Sequence, residues 1–304
     1  MRVLYVNAMN YGANAGVDAI AHGLDHRLTQ AGIEMRVLTE DFREPEWLER
    51  QSAAVDAGVE AGVDGIVVYV LDDHNPAEAV GRATAAGIPV FTLERPRFAV
   101  EGCVVYPNFN HGVYMMEYLA TILEPGARVG VLGGPDVVDD IELLLGIRHG
   151  IEASGLHLVN DPEDPRYKNI SDVAEGGYEK TMNLLADFDD LAGVVPYNDE
   201  TMHGTLRALR ETGRLGTVKT VSRNGTPKAV EAILAGEHHG TWDLDCPGIG
   251  ATVGDLVVRH LVDGEALDGY CAASPIGRMI SPENAGAWIP WPERIPYEAL
   301  REGL

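Results

Sequence analysis

GVEAGVDGIVVYVLDDHNPAEAVGRATAAGIPVFTLER, residues Gly58 to Arg95, is the stretch whose reading decides the fold. A helix rich in small residues leads into the apolar run Gly65-Ile66-Val67-Val68-Tyr69-Val70, which has the length of a buried strand. A polar turn from Leu71 to Asn75 follows, and Pro76 opens a second helix at a first-turn position, where its missing N–H costs nothing. Gly87 ends that helix, and Ile88 to Leu93 read as the next strand, delivering Glu94-Arg95 at its C-terminal end. In an open parallel α/β sheet that end is where ligands bind.

The same alternation extends outward in both directions. Strands are predicted at Arg2–Val6, Glu34–Thr39 and Cys103–Tyr106, with helices over Val17–Ala31, Pro45–Val59 and the segment after Gly112. A second series begins at Ala127–Leu132 and repeats the pattern. Its strands end at Gly133-Gly134-Pro135-Asp136, Tyr197-Asn198-Asp199-Glu200, Arg223-Asn224-Gly225 and Asp245. A further strand is predicted near Gly277–Ile280, ahead of a Trp- and Pro-rich tail. Strands alternating with helices predict α/β architecture, two doubly wound, Rossmann-like parallel sheets in 304 residues.

Composition narrows the function. With 23 Lys+Arg against 47 Asp+Glu, the formal net charge is −24, a field that repels nucleic acid and anionic membranes. No run approaches the roughly 18–20 apolar residues of a membrane span. Cys103, Cys246 and Cys271 are too few for a disulfide framework and match no metal-ligand spacing. They read as isolated small apolar residues, although one pair could bridge in an oxidising compartment. The histidines show no ligand spacing either, so neither metal nor cofactor is expected.

The assembled motifs resemble the type I periplasmic binding proteins, in the ribose-binding-like branch that captures sugars and polyols for ABC importers. The resemblance rests on Gly62-Val63-Asp64-Gly65-Ile66-Val67-Val68, on Ala86-Gly87-Ile88-Pro89-Val90 followed by Glu94-Arg95, and on Tyr197-Asn198-Asp199-Glu200 with Gly204. Asn224-Gly225-Thr226-Pro227, Ile233 to Gly236 and Asp245-Cys246-Pro247 continue it. It implies two lobes joined by a three-segment hinge, with a ligand cleft between them that closes on its ligand. The lobes are expected at residues 1–107 plus 246–281 and at 108–245 plus 282–304.

By that resemblance the ligand-binding candidates are Asn10, Tyr11, Asn14, Glu94, Arg95, Asn108, Asn198, Asp199, Asn224 and Asp245. Amides, carboxylates and an Arg fork suit hydroxyls that both donate and accept. Asp199 either joins Asn198 at the ligand or caps the following helix. Asp243 replaces Asp245 if the register slips. Tyr197 and Trp242 are stacking candidates that equally suit packing, and Trp288 and Trp291 are assigned to packing the tail. Leu145 stands where relatives carry a second cleft arginine, which leaves Arg95 as the only one the motifs support. The run Gly134 to Asp140 adds carboxylates. A small neutral polyhydroxy ligand is therefore expected rather than an anion.

Enzyme motifs are missing: there is no G-x-G-x-x-G, no P-loop and no G-x-S-x-G. The implied role is a monomeric, non-enzymatic solute-binding protein delivering a sugar or polyol to a membrane permease, with no nucleic-acid partner. The alternative is the effector domain of a lactose-repressor-type regulator or a chemoreceptor-linked sensor. The resemblance implies a periplasmic or extracytoplasmic location; a native start at Met1 would instead imply the cytoplasm.

Overall fold

A computed structural model describes residues 1–304. In chain order its elements are β1 (Arg2–Asn7), α1 (Ala15–Gln30), β2 (Glu34–Thr39), α2 (Trp47–Glu60), β3 (Gly65–Tyr69), α3 (Ala77–Ala85), β4 (Val90–Leu93) and β5 (Gly102–Val105). There follow α4 (Asn108–Thr121), β6 (Arg128–Leu132), α5 (Val138–Ala153), β7 (His157–Leu158), α6 (Ala174–Asp187), β8 (Gly193–Pro196), α7 (Asp199–Glu211), β9 (Lys219–Asn224), α8 (Pro227–Leu234) and β10 (Gly240–Asp243). The chain closes with α9 (Cys246–Leu261), β11 (Tyr270–Ala273), β12 (Arg278–Ile280), a 3-10 turn at Ala285–Ala287 and α10 (Trp291–Arg294).

These elements divide into two compact units. Unit 1 holds Met1–Tyr106, Asp245–Ile276 and Pro290–Leu304, and unit 2 holds Pro107–Leu244 and Gly277–Ile289. Each contains one six-stranded sheet, ordered β11-β5-β4-β3-β1-β2 in unit 1 and β12-β10-β9-β8-β6-β7 in unit 2. All pairings are parallel except β10 with β12. Helices cover both faces of a parallel sheet, so its strands are apolar throughout rather than alternating. Accordingly every residue of β3, β4 and β8 is buried. In unit 1, Leu4, Val6, Ile66 and Val68 pack with Val55 and Val80. In unit 2, Leu132, Leu184, Val194 and Leu209 form the corresponding core.

Close helix packing is written in glycine. A Cβ on Gly204 of α7 would stand 1.9 Å from the Ala174 carbonyl oxygen, and one on Gly177 of α6 would stand 2.2 Å from that of Thr201. The two backbones therefore touch where both helices lack a side chain. The pair α4 and α5 meets in the same way at Gly112 and Gly146.

The expected lobe boundaries need two corrections. Residues 277–281 belong to unit 2, because β12 pairs antiparallel with β10, Thr241 opposite Ile280. Gly277 makes the entry: its φ is 77°, and a Cβ there would lie 2.3 Å from the Asp243 carbonyl oxygen. The tail then returns to unit 1 at Pro290. Trp291 is buried, Arg294 pairs with Asp245 at 2.7 Å, and Tyr297 stacks on His22 with ring centroids 4.0 Å apart. Arg301 and Gly303 bond to the backbone of Val37 at the open edge of β2, both at 2.9 Å. The tail thereby covers an edge that would otherwise expose unpaired backbone groups.

Candidate functional site

Leaving out β11 and β12, each sheet runs second-first-third-fourth-fifth in its own chain order. The winding direction reverses beside the first strand, and ligands of such sheets bind at the carboxyl ends of the strands near that reversal. In unit 1 this places the site at the ends of β1, β3, β4 and β5. Asn7 ends β1, buried, with its Nδ2 donating to the Met9 carbonyl at 2.8 Å. Asn10 turns to Asp41 (3.1 Å), which Arg43 holds in a two-pronged ion pair. Asn14 caps α1, its side-chain oxygen accepting from the amides of Gly16 (2.9 Å) and Val17 (3.2 Å). Tyr11 is 51% exposed and hydrogen-bonds His22.

Glu94 and Arg95 part company at the end of β4. Glu94 has a left-handed φ of 69° and is buried, whereas Arg95 is exposed. That backbone turn separates two residues that adjacency in sequence would keep together. Arg95 lines a surface groove of about 720 Å³ with Arg97, Phe98, Cys103, Asp268 and Cys271.

Unit 2 gathers a denser set of polar groups. Arg223 ends β9 beside Asn224 and is 4% exposed. Its guanidinium donates to Asp140 at 2.8 Å and to the side-chain oxygen of Asn108 at 3.2 Å, with Asp139 at 3.6 Å. Asn108, the first residue of α4, donates in turn to Glu142 at 3.3 Å. Burial, and then the neighbouring Asp139 charge, holds the Asp140 carboxyl well above the usual range, while Arg223 opposes both. Beyond β8, Tyr197 and Asn198 both donate to Asp172, and the Asn198 oxygen caps α7 through the Thr201 amide at 2.9 Å. Burial raises the Tyr197 phenol, and the charges of Asp172 and Asp140 add to the effect. Asn224 adopts φ 123° and donates to Glu200 at 3.3 Å.

The profile of the periplasmic binding protein domain matches residues 6–266, most of the chain. The chain belongs to the periplasmic binding protein family. The ribose import binding protein of Bacillus subtilis (strain 168) is 28% identical over 189 residues, 60% of this chain and 58% of that protein. The xylitol-binding protein of Mycolicibacterium smegmatis is 28% identical over 228 residues, 71% of this chain and 61% of that protein. The chain thus spans about three-fifths of the length of these curated relatives. The periplasmic binding protein of the arabinose ABC transporter of Shewanella sp. ANA-3 has a TM-score of 0.83 at 18% identity, covering 94% of each chain. That likeness concerns the fold.

Three of the candidate carboxylates are held by partners within the chain. Asp199 points inward: it is fully buried and accepts from the Ser222 hydroxyl, the Thr241 hydroxyl (2.8 Å) and the Thr226 amide (2.7 Å). Burial nonetheless pushes its carboxyl up to about 6. It ties α7 to β9 and β10, because the residue after a helix cap enters the first turn facing the sheet. Asp245 belongs to unit 1, with φ 53° and its carboxylate on Arg294. Asp243, the alternative to it, accepts from Trp288 Nε1 at 2.8 Å. Trp242 stacks on Tyr114 at 5.2 Å.

Arg223 and Asp172 were not singled out from sequence. Arg223 sits next to Asn224 at the end of a mainly polar strand, Lys219-Thr220-Val221-Ser222-Arg223-Asn224, so no apolar run marked it; Asp172 carried no signal either. Leu145 is 55% exposed. Arg95 is therefore not the only arginine at a strand end. Among titratable side chains, Asp72, Asp73 and His74 offer ligand atoms close enough to hold a cation, but Asp73 pairs with Arg97 and Asp72 caps the following turn. No helix is long and apolar enough to cross a membrane.

Proposed function

We propose that this chain is an extracytoplasmic solute-binding protein that captures a small neutral sugar or polyol and delivers it, as a monomer, to the permease of an ABC-type importer. The observation that carries the reading is the furnishing of the strand ends in unit 2. Asn108, Asn198 and Asn224 stand there with Asp140, Asp172 and Arg223. Such groups match hydroxyls that donate and accept at once. The named relatives bind ribose and xylitol, a sugar and a polyol of that chemistry. Arg223 is matched by Asp140 and Asp139, so the set carries no excess positive charge to hold an anion. In this reading Tyr11, Asn10 and Glu94 supply the contacts from unit 1, and Arg95 joins them by a side-chain rotation.

The reading is non-catalytic. The carboxylates at the strand ends are paired with a guanidinium, a phenol and an amide, rather than set apart as acid and base. A regulator's effector domain is less favoured, because a net charge of −24 opposes nucleic acid.

A thermal-shift panel of pentoses, hexoses, pentitols, hexitols and inositols tests the proposal. A ligand at a hundredfold its Kd stabilises by about 2.7 kcal/mol, which raises Tm by roughly 5–10 °C. Tight binding of a sugar acid, with neutral compounds inert, overturns the neutral-ligand reading. Capture by closure of the two units is part of the same proposal. Small-angle scattering should then give a smaller radius of gyration with ligand, and an unchanged radius at saturation counts against it.

A further inference from the structure

Cys103 and Cys271 stand in a relation that the sequence does not show. Cys103 lies in β5 and Cys271 in β11, and the parallel register sets the two directly opposite one another. Neighbouring strands run about 4.8 Å apart, and paired residues project their Cβ atoms to the same side of the sheet. Both conditions meet the Cα spacing and Cβ direction that a disulfide requires. The two thiols are free, and their sulfurs are in contact at 2.7 Å. Cys246 opens α9 and is paired in neither strand.

Placement gives the pair a mechanical meaning. β11 is the edge strand of unit 1, and its side chains are exposed or half-buried, so little apolar packing holds it. Three residues beyond Cys103 the chain leaves unit 1 at Tyr106, and five beyond Cys271 it leaves again at Ile276. Both cysteines line the groove that Arg95 shares; Cys103 is buried there, and the half-exposed Cys271 is the one a soluble reagent reaches.

We propose that Cys103 and Cys271 join as a disulfide when the chain meets a disulfide oxidant, fastening the edge strand β11 to β5 near two of the crossings out of unit 1. The exchange balances. The half-exposed Cys271 thiolate attacks an incoming R–S–S–R, forming a mixed disulfide and expelling one RS⁻. Cys103 then loses its proton, and its sulfur attacks that of Cys271 and expels the second RS⁻. One protein S–S bond replaces the reagent's own; two cysteine thiols are oxidised, and the reagent leaves as two thiols carrying the two protons. Cys271 attacks first because burial, with the second thiol alongside, raises the Cys103 thiol and keeps it protonated.

The full-length protein is incubated natively with glutathione disulfide, denatured without reductant, alkylated with iodoacetamide and digested with trypsin. The expected product carries one alkyl group, on Cys246, and joins peptide 98–128 to peptide 260–278. Reduction of the bridged native protein should free Cys103 and Cys271 and lower Tm by roughly 5–10 °C, a difference absent from C103S/C271S. Three alkylated cysteines before reduction, glutathione adducts on separate peptides, or a bridge that includes Cys246 would overturn the pairing. Equal Tm values for the bridged and reduced protein would overturn the fastening role.

Discussion

Replacing Arg223 by methionine is the sharpest test of how unit 2 is built. Arg223 is 4% exposed, and its guanidinium makes a charge-assisted bond of 2.8 Å to Asp140, itself 8% exposed. Methionine fills similar volume but leaves a buried carboxylate with its ion-pair partner gone. Breaking such a pair from one side costs about 3–5 kcal/mol, which for a unit of this size lowers Tm by on the order of 10 °C. The pH dependence fixes the cause. Burial raises the folded pKa of Asp140 above its unfolded value, so its neutral form favours the folded state; that contribution is complete at low pH and lost as pH rises through the folded value. Removing Arg223 raises the folded value further. The deficit of R223M should therefore be largest near pH 8 and shrink toward pH 5, and adding D140N should restore more than half of it. Urea denaturation of wild type, R223M, D140N and R223M/D140N at both pH values measures this. An R223M variant within 1 kcal/mol of wild type at pH 8, a deficit equal at the two pH values, or no rescue by D140N would refute the reasoning.

Two further outcomes follow from packing and titration. Gly204→Ala should destabilise by several kcal/mol, because its Cβ would meet the Ala174 carbonyl at 1.9 Å, whereas Gly81→Ala, in α3 with open space around it, should stabilise by about 0.5–1 kcal/mol; equal effects in thermal melts would sink the close-approach account. Burial lowers His238 to about 3, between the hydroxyls of Thr220 and Ser222 at 2.8 and 3.0 Å. A depressed folded pKa gives stability that is present above about 6.5 and lost as pH falls toward 3, so His238→Gln should cost about 2 kcal/mol less at pH 5 than at pH 8. Asp199, raised to about 6, contributes in the opposite sense. The wild-type curve alone therefore does not reveal His238, and a variant-minus-wild-type difference that stays flat with pH would count against its burial as a neutral ring.

What was legible in the sequence was whatever local pattern decides. β1, β3, β6 and β8 are buried on both faces, and a continuous apolar run announces such a strand. β11 went unread for the converse reason: Tyr270-Cys271-Ala272-Ala273 lies at an edge, half-exposed, and presents no apolar run. The return of the tail was equally hidden, since Trp291, Arg294 and Tyr297 are held by partners far away in the chain. Order along the strands placed Asn198 and Asn224 at the carboxyl ends of β8 and β9. It could not say which way a side chain turns. Asp199 follows Asn198 directly yet points into the sheet, while Arg95 leaves the path of Glu94 because Glu94 is left-handed. The partner that orients both Tyr197 and Asn198 is Asp172, also left-handed at φ 53°, in a loop whose sequence carries no sign of it.

The same winding, made twice, has been furnished in two different ways. The strand ends of unit 1 carry amides and a phenol held by short-range contacts: Asn7 on its own loop, Asn14 on its own helix, Tyr11 on His22. Those of unit 2 draw on three separate elements, an amide from α4, a carboxylate from α5 and a guanidinium from β9. A buried ion pair of this kind adds little net stability compared with apolar residues of the same volume, because desolvation consumes most of the attraction. Packing alone therefore gives no reason to hold Arg223, Asp140 and Asn108 together. Fixed direction does: a guanidinium braced by a carboxylate and an amide is held in one geometry, with little entropy left to lose. Under the proposed function, this braced set in unit 2 is what selects the pattern of hydroxyls accepted there.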